Sequence, residues 1–200
     1  MIEFLLKTFV KDYKNTKEPK IRTRYGVFAG IVGIICNIIL FTAKIIAGII
    51  TASVSIMADA VNNLSDAGSS IITLIGFKLA GKPADYEHPY GHGRMEYISG
   101  FMVSAAIVIM GFELLKSSFG KILHPTALEY SIPSIIILVF SILMKIWMAG
   151  FNRNLGKRVD SSAMKATATD SLSDCIATSV VLVSALLSLI FDINVDGYAG

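Results

Sequence analysis

Long blocks of apolar residues constrain this chain more than any other feature of its sequence. Five of them are long enough to cross about 30 Å of hydrocarbon as an α-helix, which takes roughly 20 residues. They cover residues 26–50, 55–79, 98–115, 132–149 and 166–190. Charged residues make up 16% of the chain, whereas a soluble domain carries about 25%. We therefore predict an all-α protein that crosses a membrane several times.

The two ends of the chain differ from this apolar centre. Residues 1–25 form a basic arm without the apolar stretch and small-residue cleavage site of a signal peptide. At the other end, a sixth apolar segment begins at about residue 195, and the sequence stops at Gly200. We expect a transmembrane domain over residues 26–200 whose sixth helix is truncated.

Lysine and arginine residues are distributed unevenly between the loops. The N-terminal arm and the loops after the second and fourth spans carry most of them, whereas the loop after the first span has none. Because basic loops stay in the cytosol, we predict a multi-pass protein with a cytosolic N-terminus, placed in the cell membrane.

Ionisable residues inside two of the spans are the strongest functional signal. Asn62 and Asp66 lie four residues apart on the second span, as do Asp170 and Asp174 on the fifth. Residues at this spacing share one helical face. A charged side chain at membrane depth costs at least a few kcal/mol, so its default interpretation is functional. These four side chains would present oxygen donors to a single point, which predicts a cation site.

The two segments also resemble each other. Residues 62–66 and 170–174 share the sequence Leu-Ser-Asp and a polar residue four positions before the aspartate. By the predicted orientation the two spans run in opposite directions, as in an inverted repeat with its substrate site at the repeat interface. Asn62 or the serines alone could serve as interhelical hydrogen-bond partners. Three clustered aspartates without a cation would not, because their charges would repel one another.

These motifs, taken with the loop Lys-Pro-Ala-Asp-Tyr-Glu-His-Pro-Tyr-Gly-His-Gly-Arg at residues 82–94, resemble the cation diffusion facilitator family. The likeness runs over residues 26–200. It implies a six-helix transmembrane domain in a homodimeric exporter that exchanges metal ions for protons. It also implies a cytosolic C-terminal domain, which we expect to be absent from this chain.

The ligand types suggest which metal is carried. Family members that handle zinc usually have histidine where this chain has Asp170, and the set Asn62, Asp66, Asp170 and Asp174 resembles the manganese-exporting branch. Oxygen ligands suit Mn²⁺, whereas imidazole suits zinc and copper. We predict Mn²⁺ as the transported ion, with Zn²⁺ and Fe²⁺ as open alternatives. Neither a cofactor nor a nucleic-acid partner is expected.

Two further groups of residues have alternative interpretations. Asp85, His88 and His92 resemble a second metal site of the family, but the neighbouring prolines and glycines could equally form a tight turn with solvated histidines. Asp59 lies seven residues before Asp66 on roughly the same face. It could line the outward exit or form a hydrogen bond to a neighbouring helix.

Other residues of the spans have structural interpretations. Gly26 and Gly30 form a G-x-x-x-G pattern, which is typical of close helix packing. Lys44 and Lys145 are interpreted as side chains that extend toward the membrane interface, without a role in transport. His124 precedes a proline in an outer loop and is interpreted as structural.

The predicted mechanism is alternating access around a fixed site, in which metal and protons compete for the same carboxylates. A non-transporting scaffold would leave those carboxylates unexplained. An intramembrane aspartyl protease also places two aspartates on adjacent spans. It usually has glycine directly before a catalytic aspartate, where this chain has Ser65 and Ser173. We therefore predict a transporter rather than an enzyme.

Overall fold

A computed structural model describes residues 18–50, 54–123 and 132–191, together with five positions of the N-terminal arm (Glu3, Leu6, Lys7, Val10 and Thr16). The described residues form long α-helices and no strand, which confirms the predicted all-α fold. The helices are α1 (Pro19–Ile50), α2 (Val54–Ala80), α3 (Met95–Leu123), α4 (Ile132–Arg158) and α5 (Ser162–Phe191). Each predicted span lies inside one of them. His124 and the predicted start of a sixth helix lie outside the described residues.

Length and composition show that this is an integral membrane protein. Within the described part of the chain, three helical stretches are long and apolar enough to cross a membrane: Lys20–Ile50, Met95–Glu113 and Ile132–Arg158. The helices α2 and α5 have similar lengths but carry more polar side chains. Large apolar residues such as Phe101, Phe112 and Leu143 are exposed on the helix surfaces. A lipid bilayer accommodates such surfaces.

Small residues let α1 and α2 pack closely as an antiparallel pair. A Cβ atom added at Gly26 would lie within 2.3 Å of the Phe77 ring, and one at Gly30 would lie 2.6 Å from Leu74 Cβ. Later positions of α1 therefore face earlier positions of α2. The interpretation of the G-x-x-x-G pattern as a packing motif is confirmed, since only glycine leaves this much room.

A buried apolar cluster holds four helices together at one end of the bundle. It joins the start of α1, the end of α2, the end of α4 and the start of α5. Tyr25, Phe77 and Phe151 are its largest members and are almost fully buried. The Trp147 and Phe151 rings stack with centroids 5.2 Å apart. The cluster fixes where α2, α4 and α5 lie relative to one another.

The turn between α4 and α5 is specified locally. Ser161 precedes the first residue of α5, and its hydroxyl accepts a hydrogen bond from the Met164 backbone N–H at 3.4 Å. A side-chain oxygen at this position satisfies a backbone donor that the helix itself cannot pair. The Ser161 N–H in turn donates to the Gly156 carbonyl at 2.9 Å. These contacts set the point at which α5 begins, and therefore the depth of its aspartates.

Candidate metal-transport site

Three aspartates meet between α2 and α5. One carboxylate oxygen from each of Asp66, Asp170 and Asp174 lies within 4.8 Å of the other two. Asp66 and Asp170 are buried, and Asp174 is partly buried. Oxygen atoms at these separations could all contact one small cation, so the three aspartates predicted from the sequence form one cluster.

The positions of these residues along their helices place the cluster deep in the bundle. Asp66 lies halfway along α2, and Asp174 lies near the middle of α5 with Asp170 one turn before it. One helical turn brings Asp170 and Asp174 to the same face. In an apolar environment an unpaired carboxylate is costly, which makes a cation partner necessary for the cluster as a whole.

One cation partner of the cluster is Lys145, which was predicted to have no role in transport. The Nζ atom of Lys145, from α4, lies 2.6 Å from Asp66 Oδ2 and 2.6 Å from Asp174 Oδ2. The lysine side chain is 4% exposed. The prediction that Lys145 extends to the membrane interface is therefore wrong. The predicted span of residues 132–149 placed Lys145 near one interface, whereas the helix continues to Arg158 and puts the lysine at its midpoint.

One oxygen of the cluster has further capacity to bind. The buried Oδ1 atom of Asp66 has no hydrogen-bond partner among the described residues. An ionised carboxylate has several acceptor positions, and buried ones are normally filled. Lys145 thus satisfies one oxygen of Asp66 and leaves the other available to a ligand.

Asn62, the fourth predicted ligand, lies one helical turn before Asp66 and is half-buried. Its neighbour Asn63 is fully buried, and the Asn63 Nδ2 donates to the Asp59 carbonyl at 2.9 Å. The Asp59 carboxylate forms an ion pair with Lys44 of α1 at 2.8 Å. Asp59 therefore contacts a neighbouring helix, as one of its two interpretations predicted, and its place in an exit pathway stays a prediction.

The loop residues Asp85, His88 and His92 form a second cluster, with ligand atoms within 4.8 Å of one another. The centroids of the His88 and His92 rings lie 4.4 Å apart. His88 Nδ1 lies 3.2 Å from Asp85 Oδ1, and His92 Nε2 lies 3.4 Å from Asp85 Oδ2. His92 Nδ1 also lies 3.2 Å from the Pro83 carbonyl, a contact that orients its ring. This is the mixed nitrogen and oxygen set that suits zinc and other transition metals.

The same segment also forms the tight turn that was the alternative prediction. Gly91 has a φ of 78°, which strongly favours glycine, and its N–H donates to the His88 carbonyl at 2.9 Å. The His88 backbone N–H donates to Asp85 Oδ1 at 2.7 Å. This bond is the main reason that the pKa of Asp85 lies below its usual value. The turn therefore brings the three side chains together, so the two interpretations do not exclude each other.

Comparison with known proteins identifies similar sequences over most of the chain. A family model described as the cation efflux transmembrane domain matches residues 30–200. An uncharacterized transporter of Methanocaldococcus jannaschii is 35% identical over 78% of this chain and 56% of its own length. Two manganese efflux system proteins of Bacillus subtilis, MneS and MneP, are 29% and 28% identical, over 82% and 80% of this chain and 58% and 54% of their own lengths. The chain thus spans little more than half the length of these relatives.

Proposed function

The chain belongs to the cation efflux family, the cation diffusion facilitators, and on this premise we propose that it exports Mn²⁺ from the cytosol. The family consists of transporters, as the sequence predicted, so the protease alternative has no support. The single observation that carries the proposal is the convergence of Asp66, Asp170 and Asp174 at mid-depth between two helices. A buried group of three carboxylates requires cations, and a site at the repeat interface is where a transporter binds its substrate.

Two observations favour manganese over zinc and iron. Among the described residues, the group of ligands between α2 and α5 consists of three carboxylates without a histidine, and hard oxygen ligands suit Mn²⁺. In addition, two of the similar proteins are named as manganese efflux system proteins. Asn62 would supply a carbonyl oxygen from the same face as Asp66. Zn²⁺ and Fe²⁺ are the alternatives, and uptake measurements separate them from Mn²⁺.

The proposed mechanism is alternating access. With the N-terminus in the cytosol, as the basic loops indicate, the ion enters from the cytosolic side and is held by Asp66, Asp170 and Asp174. Carboxylates must be deprotonated to bind metal, so protons and metal compete. Protons that arrive from outside would release the ion there, and the protonated carrier would return. The resemblance further supports a homodimer for the full-length protein, which crosslinking in membranes would test.

Metal uptake into inside-out vesicles tests the proposal directly. Uptake of Mn²⁺, Zn²⁺, Fe²⁺ and Cd²⁺ is compared in vesicles that contain the full-length protein. We expect Mn²⁺ to be transported with the highest kcat/KM. Faster transport of Zn²⁺ or Fe²⁺ would overturn the manganese assignment while keeping the efflux function, and no uptake of any ion would overturn both.

The substitutions Asp66→Asn and Asp174→Asn should each reduce Mn²⁺ uptake by at least about 10- to 100-fold, since each removes a charged ligand. Loss of groups that merely support metal ligands already costs this much. Asp160→Asn is the matched control, because Asp160 lies in the exposed turn between α4 and α5 with its side chain 88% exposed. Full uptake by a well-expressed Asp66→Asn protein would contradict the site assignment.

The loop cluster is proposed as a second metal site, distinct from the transport site in its ligand chemistry. Its two imidazoles should bind Zn²⁺ more tightly than Mn²⁺. In the Asp66→Asn/Asp174→Asn background we expect one Zn²⁺ equivalent to bind, measured by calorimetry, and to be lost on His88→Ala or His92→Ala. The control is His124→Ala. Zn²⁺ binding that survives both loop substitutions would refute this second site.

A further inference from the structure

The position of Lys145 adds a second cation to the transport site. Its ammonium group is shared between Asp66 and Asp174, at 2.6 Å from an oxygen of each. These carboxylates belong to different helices, α2 and α5, and the lysine comes from a third, α4. The side chains of Lys145 and Asp66 are 4% and 3% exposed. The contact is therefore an internal part of the bundle rather than a surface ion pair.

A metal ion and this ammonium group would compete for the same carboxylate oxygens of Asp66 and Asp174. A divalent ion bound by the three aspartates would lie within a few ångströms of Nζ, and two positive charges so close in a buried site repel strongly. When all three carboxylates are ionised, they and the ammonium together carry two negative charges, so the lysine then neutralises part of the charge that attracts the metal. The unpartnered Oδ1 of Asp66 offers an incoming ion a first contact before the ammonium leaves.

We propose that Lys145 is a tethered counter-cation that is displaced from Asp66 and Asp174 when the metal binds and returns to them when the metal leaves. The inference rests on the proposed transport site. In this role Lys145 lowers the apparent affinity for the ion, which favours release. It also stabilises the metal-free carrier by pairing two buried carboxylates that would otherwise repel each other.

The first test measures the dissociation constant of Mn²⁺ for the purified protein in lipid nanodiscs by calorimetry. If the ammonium occupies the carboxylates in at least nine-tenths of the molecules, its removal should tighten apparent binding by about 10-fold or more. We therefore expect Lys145→Met to bind Mn²⁺ more tightly than the wild type. A residue that merely held the carboxylates in place would give the opposite result, and unchanged or weaker binding would overturn the proposal.

Two variants separate this effect from general perturbation. Lys165→Met removes a lysine whose partner, Asp160, lies in the exposed turn between α4 and α5 outside the cluster, and it should leave the Mn²⁺ dissociation constant unchanged. Lys145→Arg keeps the positive charge and should not tighten binding. If Lys145→Arg tightened binding as much as Lys145→Met, the lost contact would not be a competing cation and the inference would be wrong.

A second measurement needs no substitution and so covers the case in which Lys145→Met does not fold. In a structure of the wild-type protein with Mn²⁺ bound, we expect Lys145 Nζ to lie beyond the limit of an ion pair, about 4 Å, from both carboxylates. A bound ion with both ion pairs intact would overturn the proposal.

Titrations with Zn²⁺ and Cd²⁺ distinguish failure of this inference from failure of the proposed function. If these ions but not Mn²⁺ bind at Asp66, and Lys145→Met tightens them, the manganese assignment is wrong and the counter-cation role stands. If Mn²⁺ binds at Asp66 and Lys145→Met does not tighten this binding, the manganese assignment stands and the counter-cation role is wrong. If no ion binds at the aspartates in either protein, both are wrong.

Discussion

Asp170 is the residue that most clearly separates an oxygen-only site from one that contains a nitrogen donor. It is buried, and its carboxylate lies within 4.8 Å of ligand atoms of both Asp66 and Asp174. A side chain at this position would therefore contact an ion bound at the proposed site directly. Its chemistry should influence which metal the carrier prefers.

The substitution Asp170→His should shift preference from Mn²⁺ toward Zn²⁺. It adds an imidazole nitrogen and removes one negative charge, and zinc accepts four ligands of mixed type whereas manganese loses a hard anionic oxygen. We expect the ratio of Zn²⁺ to Mn²⁺ affinity to rise by at least about 10-fold, since the loss of a group that only supports a ligand already changes metal affinity by this much. Binding by calorimetry is measured beside vesicle uptake, because a bulkier ring could block closure without affecting affinity.

Asp170→Asn is the matched control, since it removes the same charge without adding a strong donor. It should weaken binding of both ions. A folded Asp170→His protein that still carries Mn²⁺ and shows no gain in Zn²⁺ would place selectivity outside this residue.

At the scale of helices, the close contact of α1 with α2 determines where Asp66 lies. The contact is made by glycines of α1 that face Phe77, Leu74 and Ser70 of α2. Ser70 lies one turn after Asp66, so any displacement of α2 at this contact also moves the carboxylate. The packing motif and the proposed metal site are thus mechanically linked through a single helix.

Gly30→Ala should destabilise the α1–α2 pair. A Cβ at this position would lie 2.6 Å from Leu74 Cβ and 3.1 Å from its Cα, so the backbones must separate. Overpacking of this kind costs about 1–3 kcal/mol. We expect a lower midpoint of thermal unfolding in detergent, together with weaker Mn²⁺ binding.

The control is Gly111→Ala in α3, where an added Cβ meets no atom within 4 Å. Its unfolding midpoint should stay within the error of the wild type. Equal unfolding midpoints for the Gly30→Ala and Gly111→Ala proteins would show that the α1–α2 contact accommodates an added methyl group without loss of stability.

At the scale of the whole molecule, transport requires that the site face each side of the membrane in turn and exchange its cations there. The structure brings the lysine ammonium to these carboxylates, and the proposed metal would be a second cation at the same place. Protons would be a third. The direction of net transport then depends on the concentrations of metal and protons on the two sides.

Mn²⁺ uptake by inside-out vesicles should fall as the pH on the cytosolic side is lowered. Metal binding requires ionised carboxylates, and a lower pH protonates them, so the initial rate should decrease by up to about 10-fold for each pH unit and proton displaced. A rate that does not change between about pH 6 and 8 would contradict competition between protons and metal. It would leave the ligand assignment intact.

The sequence by itself determined the membrane class, the helical fold and the three aspartates of the buried cluster. Apolar blocks of span length and carboxylates at i, i+4 spacing are local patterns that depend on few other residues. The G-x-x-x-G contact was predictable for the same reason. Asp85, His88 and His92 were identifiable because they lie within eight residues of one another.

Only the tertiary structure placed Lys145 against Asp66 and Asp174, and Lys44 against Asp59. These partners are separated in the chain by up to 79 residues, and their pairing depends on which faces of α1, α2, α4 and α5 meet. Helix packing determines which faces meet, and the spacing of residues along a single helix does not predict that packing. In a low dielectric each buried charge must find a partner, but the partner's identity follows from three-dimensional proximity alone.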